Sequence, residues 1–251
     1  MTHPAADLRK KLRTRVGIFL LAVVAGLLLL DQNTLDRLAV VEAERDQWQR
    51  PAEVIAALNV KQGSAVADIG AGAGYFALKL SRAVGASGRV FAVDIQRLPL
   101  TFLWIRTIPR SEHNVSMRLG DSDDPHLPPN GLDAVLVANT YHEFANPSAI
   151  LESVRRSLRS PGRLVVIDHI HTGTGGAVVT DTHHELRPEI AAAQMGIAGF
   201  HIIERRDLFI DRPSGERWWL IVATQVLTSD RKPRRDSPLM PDIGTANDNP
   251  H

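Results

Sequence analysis

Between Val66 and Leu80 the chain reads VADIGAGAGYFALKL. A stretch suited to a strand runs into glycines at 70, 72 and 74 and then into a stretch suited to a helix. Such a junction gathers backbone N–H groups and a helix N-terminus at one point. Missing side chains let a ligand touch the main chain there. In an open α/β sheet the junction lies at the carboxyl end of a strand, where these folds bind ligands.

The rest of the chain repeats the alternation. SAVADIG, GRVFAVDI, NVSMRLG, LDAVLVANT and GRLVVIDHI read as strands, with GYFALKLSRAV, LTFLWIRTI and PSAILESVRRSLRS as helices among them. The strands are continuous apolar runs rather than alternating ones, which predicts a parallel sheet covered on both faces. After the helical ELRPEIAAAQMG, the segments FHIIERRDLFI and ERWWLIVATQ form an antiparallel hairpin around DRPSGE. Trp218 and Trp219 then point to opposite faces of the last strand.

Two common nucleotide loops do not fit. The nicotinamide fingerprint needs G-x-G-x-x-G, and its sixth position here is Tyr75. The P-loop needs G-K-[ST] after its glycines, which is absent. ADIGAGAGYF instead resembles motif I of the class I S-adenosylmethionine-dependent methyltransferases, D/E-x-G-x-G-x-G. The resemblance continues in order through VFAVDI, RLGDSDD, LDAVLVANTYHEF and LRSPGRLVVIDH, over roughly Trp48 to Gln225. It is strongest toward the small-molecule branch related to the quinone and sterol methyltransferases, although Arg163 replaces the usual second glycine of P-G-G.

The resemblance implies a Rossmann-like α/β fold: seven strands, mostly parallel, closed by the C-terminal hairpin, with helices on both faces. It implies S-adenosyl-L-methionine as cofactor. Gly70, Gly72 and Gly74 would pass under its methionine part, and Asp68 would anchor the amino end. Asp94, 26 residues after Asp68, takes the position of the ribose acid of dinucleotide folds. Asp121 and the backbone N–H of Ser122 would meet the adenine. Asp123 and Asp124 read as solvated loop charges.

The acceptor belongs beyond the fourth strand, over ANTYHEF, where Asn139, Tyr141, His142 and Glu143 crowd together. Asn139 is counted with the cofactor site. His142 is the candidate general base, because imidazole titrates near neutrality, and Glu143 would orient it. His142 as a helix cap, or packed on Trp219, is the competing structural reading. Asp168, His169, His171, His183, His184 and Glu185 form a second polar group that suits a metal by residue type. No H-x-x-x-H or H-E-x-x-H helix accompanies them, and no metal is expected.

The N-terminus adds a second theme. Arg9, Lys10, Lys11, Arg13 and Arg15 precede an uncharged run from Val16 to Leu30. Fifteen helical residues reach roughly 22 Å, short of the roughly 30 Å hydrocarbon core. A signal peptide and an uncleaved signal anchor both fit; no small-x-small cleavage site comes after Leu30. The expected organisation is a basic flank and anchor helix over 1–30, a connector helix over 31–50, the methyltransferase domain over 51–227 and a disordered tail over 228–251. The positive flank predicts export of the chain beyond the apolar run, whereas a cofactor made in the cytoplasm places the domain there; the latter is preferred.

The net charge of +1 gives no sign of a nucleic-acid partner. The absence of cysteine excludes disulfides, thiolate metal sites and the cysteine-dependent arsenic branch. The sequence thus predicts a membrane-held methyltransferase for a small or lipophilic acceptor. The alternative is a membrane-tethered protein of the same fold that binds without catalysis.

Overall fold

The computed structural model describes residues 36–108, 110, 112–170 and 186–226. The apolar run 16–30, the tail 228–251 and His171, His183, His184 and Glu185 lie outside the described residues. No described helix is long and apolar enough to cross a membrane.

Residues 36–49 are helical and form α1. The chain continues through α2 (Pro51–Ala57), β1 (Ala65–Ile69), α3 (Tyr75–Val84), β2 (Arg89–Asp94), α4 (Arg97–Thr107), β3 (Val115–Leu119) and β4 (Leu132–Ala138). A 3₁₀ turn, Tyr141–Glu143, precedes α5 (Pro147–Ser157), β5 (Leu158–Ile170), α6 (Pro188–Ile197), β6 (Phe200–Asp211) and β7 (Arg217–Gln225). Proline opens α2, α5 and α6, where its missing N–H costs nothing. Asn146 caps α5 by accepting from Ala149 N at 3.2 Å.

The sheet order is β3-β2-β1-β4-β5-β7-β6. β1 to β5 pair in parallel, and β7 runs antiparallel between β5 and β6, as the hairpin reading predicts. The inner strands are apolar on both sides because both sides are covered. Val66, Ala92, Leu136 and Ile167 pack toward Val54, Phe76 and Leu103 of α2, α3 and α4. Their strand neighbours Ala67, Phe91, Val137 and Val166 pack toward Ile150, Leu151 and Met195 of α5 and α6. Trp218 joins the first core and Trp219 the second, so the pair divides between the faces.

Strand order reverses between β1 and β4, which opens a crevice at their carboxyl ends. The first ends in the glycine loop and the second in Asn139 and Thr140. In the parallel register Ala138 faces Ile167, so the turn after β4 lies beside Asp168 of β5.

Candidate functional site

Gly70, Gly72 and Gly74 all adopt positive φ, at 75°, 53° and 89°. Their environments differ. A Cβ on Gly70 would collide with the Thr140 side chain, and one on Gly74 with Leu103. At Gly72 a Cβ would meet nothing within 4 Å. Gly70 and Gly74 are therefore glycine for packing as well as backbone conformation, whereas Gly72 faces open space.

That space is two cavities that share Gly70, Gly72, Asn139 and Thr140. One, of 320 Å³, extends past Asp94, Gln96, Asp121 and Ser122 to Glu143. The other, of 220 Å³, extends under α1 to Asp68, Arg45 and Tyr75. A larger open groove of 960 Å³ lies at the opposite ends of the strands and holds none of the sequence-predicted site residues.

Asp68 is buried, and its Oδ2 has no hydrogen-bond partner among the described residues. Burial pushes its carboxyl up to about 7, against the lowering effect of the Arg45 guanidinium and a backbone hydrogen bond from Ala77; the charge of Asp94 adds to the rise. An acid with an unused oxygen at the wall of a cavity is suited to a cationic group. Arg45 stacks 3.9 Å over the Tyr75 ring and places a second charge, of opposite sign, in the same cavity.

Asp94 binds the loop as well as facing the larger cavity. Its Oδ2 accepts from Gly72 N and its Oδ1 from Gln96 N, each at 2.9 Å. A carboxylate has about four acceptor sites, so two remain. Asp121 is exposed and lies 2.9 Å from His126 Nε2, while its backbone N donates to Asp124 O at 2.8 Å. Asp124 is no bare loop charge: its carboxylate accepts from His126 N at 2.9 Å and Ser153 Oγ at 3.0 Å. Ser122 lines the same cavity.

His142 is held by Asp168. Its Nδ1 lies 2.9 and 3.0 Å from the two Asp168 oxygens, and its backbone N donates to Asp168 Oδ2 at 3.0 Å. Burial alone would raise the Asp168 carboxyl, but hydrogen bonds from His142 and His169 outweigh it and hold it below its ordinary value. Asp168 is therefore an anion and can only accept, so His142 Nδ1 carries the proton and Nε2 is the basic nitrogen. The hydrogen bond to Asp168 raises the imidazole above its ordinary value despite partial burial. Glu143, expected to orient the ring, is mostly exposed and approaches Nε2 only to 3.8 Å. His142 does not cap α5, which Asn146 does; its ring lies against His169, centroids 5.3 Å apart.

Asn139, at positive φ of 56°, turns its Oδ1 to His169 Nδ1 at 2.9 Å, and His169 stacks 5.0 Å from Trp218. His142, Asp168 and His169 each place a metal-ligating atom within 4.8 Å of the others. Asp168 Oδ2 also accepts from His142 N and Oδ1 from His169 N.

Four contributors had weak sequence signals. Asp168 reads in sequence as a member of the metal-suited polar group, with nothing to pair it with His142. Glu42 and Arg45 belong to a helix that reads as a polar connector. Arg106, buried in α4, binds Glu42 at 2.8 and 2.9 Å and also donates to Ala73 O, so it ties α1 to the glycine loop. A buried arginine in an apolar helix is the one feature that marks this tie in sequence.

Residues 60–208 match a family model described as a methyltransferase domain. The chain is 31% identical over 136 residues to a protein-L-isoaspartate O-methyltransferase of Methanothrix thermoacetophila, covering 53% of this chain and 60% of that one. It is 31% identical over 110 residues to a ubiquinone/menaquinone biosynthesis C-methyltransferase of Pseudomonas putida, covering 43% of each. It thus spans less than two thirds of either relative. Among solved structures, an S-adenosylmethionine-dependent methyltransferase from Aquifex aeolicus superposes with TM-score 0.61 at 24% identity, over 70% of this chain and 89% of that one. With the glycine loop at the crevice and the family match across the sheet that builds it, the chain belongs to the methyltransferase-domain family of the class I S-adenosylmethionine-dependent superfamily.

Proposed function

We propose that this protein transfers a methyl group from S-adenosyl-L-methionine to a small or lipophilic acceptor. One observation carries the reading: an open cradle at Gly72 lies between a cavity ending at the unpartnered Asp68 oxygen and a cavity rimmed by Asp94, Asp121 and Ser122. The donor set fits a ligand with a cationic amino end, a carboxylate and a polar nucleoside end. Asp68 would hold the amino group, Arg45 the carboxylate, Asp94 the ribose hydroxyls, and Asp121 with Ser122 the adenine edge.

Bound there, S-adenosylmethionine supplies a methyl group on a sulfonium centre, which leaves as a neutral thioether. The chain's own work is alignment and proton removal. The Gly70 and Gly72 backbones allow close approach. His142 Nε2 takes the proton of the acceptor nucleophile. Asp168 is a positioning residue that fixes the tautomer and favours the imidazolium once formed. Tyr141 is buried and bonds Gln194 Oε1 at 2.9 Å, so it serves the scaffold.

The lipophilic side of the reading rests on the apolar run 16–30, taken as an uncleaved anchor that holds the domain at the cytoplasmic face of a membrane. The similarity to a quinone C-methyltransferase supports the acceptor class. The deciding experiment is turnover of methyl-labelled cofactor by the full chain with fractionated lipid and quinone extracts. Label transfer that is lost in Gly72→Val supports the enzyme. Cofactor binding without transfer to any fraction favours the tethered binding protein.

A further inference from the structure

We infer that Gln49 positions Arg45 to take the carboxylate of the cofactor, so that α1 reads the amino-acid end of the ligand. The inference rests on the reading of the glycine-loop cradle as an S-adenosylmethionine site.

The starting point is a polar side chain buried where an apolar one would cost less. Gln49 is the last residue of α1 and has no solvent exposure. Its Oε1 accepts a hydrogen bond from Arg45 Nε, one helical turn earlier. Its Nε2 is buried with no partner among the described residues. Reversing the amide would set a donor against Arg45, which has donors alone. A buried amide with half of its bonding unmet is destabilising beside an apolar side chain of the same shape. Local conflicts of this kind gather where a residue serves the site rather than the fold.

What Gln49 holds is a cation that lacks an anion. Glu42 and Asp46, the acids of α1 nearest to Arg45, are engaged elsewhere, with Arg106 and Lys79. Burial pulls the Arg45 guanidinium below its ordinary value, against the opposing charges of Tyr75, Asp68, Glu42 and Asp46. Asp68 lines the same cavity, yet its Oδ2 takes no hydrogen bond from Arg45.

Opposite charges that share a cavity attract. Two contacts hold Arg45 back from Asp68. One is the bond to Gln49 Oε1 and the other is the stack over Tyr75, whose own hydroxyl donates to Asp46 Oδ1 at 2.6 Å. With Nε tied and the ring on one side, the two terminal nitrogens form the fork that matches a carboxylate. Each charge is thus kept for the ligand, Asp68 for its ammonium group and Arg45 for its carboxylate. Without the Gln49 acceptor the guanidinium is free to swing, and pairing with Asp68 would close the site on itself. Gln49 does not line the cavity, so it acts through Arg45 as a positioning residue.

The test is calorimetry of the full chain with S-adenosylmethionine and with its decarboxylated form, two ligands that differ only in the carboxylate. The wild type should prefer the first by at least about 10-fold, the scale of a hydrogen bond to a charged group. Gln49→Met keeps the length and removes the amide. It should lose about 10-fold in affinity for S-adenosylmethionine and nothing for the decarboxylated form, with a melting midpoint at or above that of the wild type. Gln49→Glu keeps an acceptor for Arg45 but neutralises it, and should also erase the preference. If Gln49→Met does not fold, Gln49→Glu decides alone.

An equal loss for both ligands makes Gln49 a packing residue that seats α1 and overturns the inference. An unchanged preference in the variants overturns it as well. A wild type that binds the two ligands equally takes the carboxylate away from Arg45; the inference falls and the cofactor reading stands. Binding of neither ligand overturns both.

Discussion

His142 Nδ1 lies 2.9 Å from the carboxylate of Asp168, a residue with no solvent exposure at the carboxyl end of β5. The two are 26 residues apart in sequence and meet because β4 and β5 run in parallel register. A buried carboxylate under an imidazole does two things. It fixes which nitrogen is basic, and it raises the pH at which that nitrogen loses its proton.

The first prediction is a pH profile. His142 is above its ordinary value because of Asp168, and a general base works only when deprotonated. The acidic limb of kcat should therefore fall above about pH 6.5, the usual imidazole value. Asp168→Asn should move that limb to lower pH and reduce kcat by about 10–100-fold, a loss general-base catalysis can account for. An unmoved limb in this variant would remove His142 from the proton transfer.

The same pair sets a stability window. A histidine raised in the folded state contributes stability below its unfolded value and loses it as pH rises through the folded value. The His142→Ala variant should lose more stability relative to wild type at about pH 6 than at about pH 9. Chemical denaturation at the two pH values measures this; an equal loss at both would show that the ion pair adds nothing.

Asp68 predicts a pH-dependent affinity. Its carboxyl is pushed up to about 7 by burial, so at mildly acidic pH it is largely neutral and must ionise to hold an ammonium group. Affinity for S-adenosylmethionine should rise about 10-fold between about pH 5.5 and about pH 7.5, each tenfold being about 1.4 kcal/mol. Asp68→Asn should flatten the dependence. Without ligand the charged acid is a liability: the solvation lost to burial outweighs the Arg45 charge and the Ala77 hydrogen bond. Asp68→Asn should therefore stabilise the free protein at about pH 8 by about 1–3 kcal/mol, with little effect at about pH 4, where the acid is protonated in the folded protein.

Glu42→Ala tests the tie between α1 and the glycine loop. It leaves the buried Arg106 guanidinium without its carboxylate partner. A loss of about 1–3 kcal/mol is expected, below the cost of breaking a fully buried pair because Glu42 is partly exposed. Cofactor affinity should fall with it, since Arg106 also holds Ala73 O. Unchanged affinity would separate α1 from the site.

The architecture was legible because its signals are local and repeated. Continuous apolar strands announce a sheet covered twice, and the glycine spacing marks the strand that carries the ligand. The gathering of Gly70, Gly72, Asn139, Asp94, Asp121 and Ser122 at one crevice comes from strand ends and needed little tertiary knowledge. What stayed hidden depends on long-range register. Nothing near His142 in sequence points to Asp168, and adjacent Glu143 was the nearer choice. Asp124 carries no mark that separates it from Asp123, yet it caps the loop through His126 N and Ser153 Oγ. Polar residues in α1 look solvated until the helix is laid across the glycine loop, where Arg45 covers Tyr75.

The central claim is that the glycine-loop cradle holds S-adenosylmethionine. Calorimetric titration of the purified full chain with S-adenosylhomocysteine, beside Gly72→Val, tests it most directly. At Gly72 a side chain has room to stand, but it would occupy the cradle and meet a backbone at positive φ. The account predicts one-to-one binding to the wild type, no competition by NADH, and loss of binding in a Gly72→Val protein whose far-UV circular dichroism is unchanged. Binding of equal affinity to both proteins would contradict it.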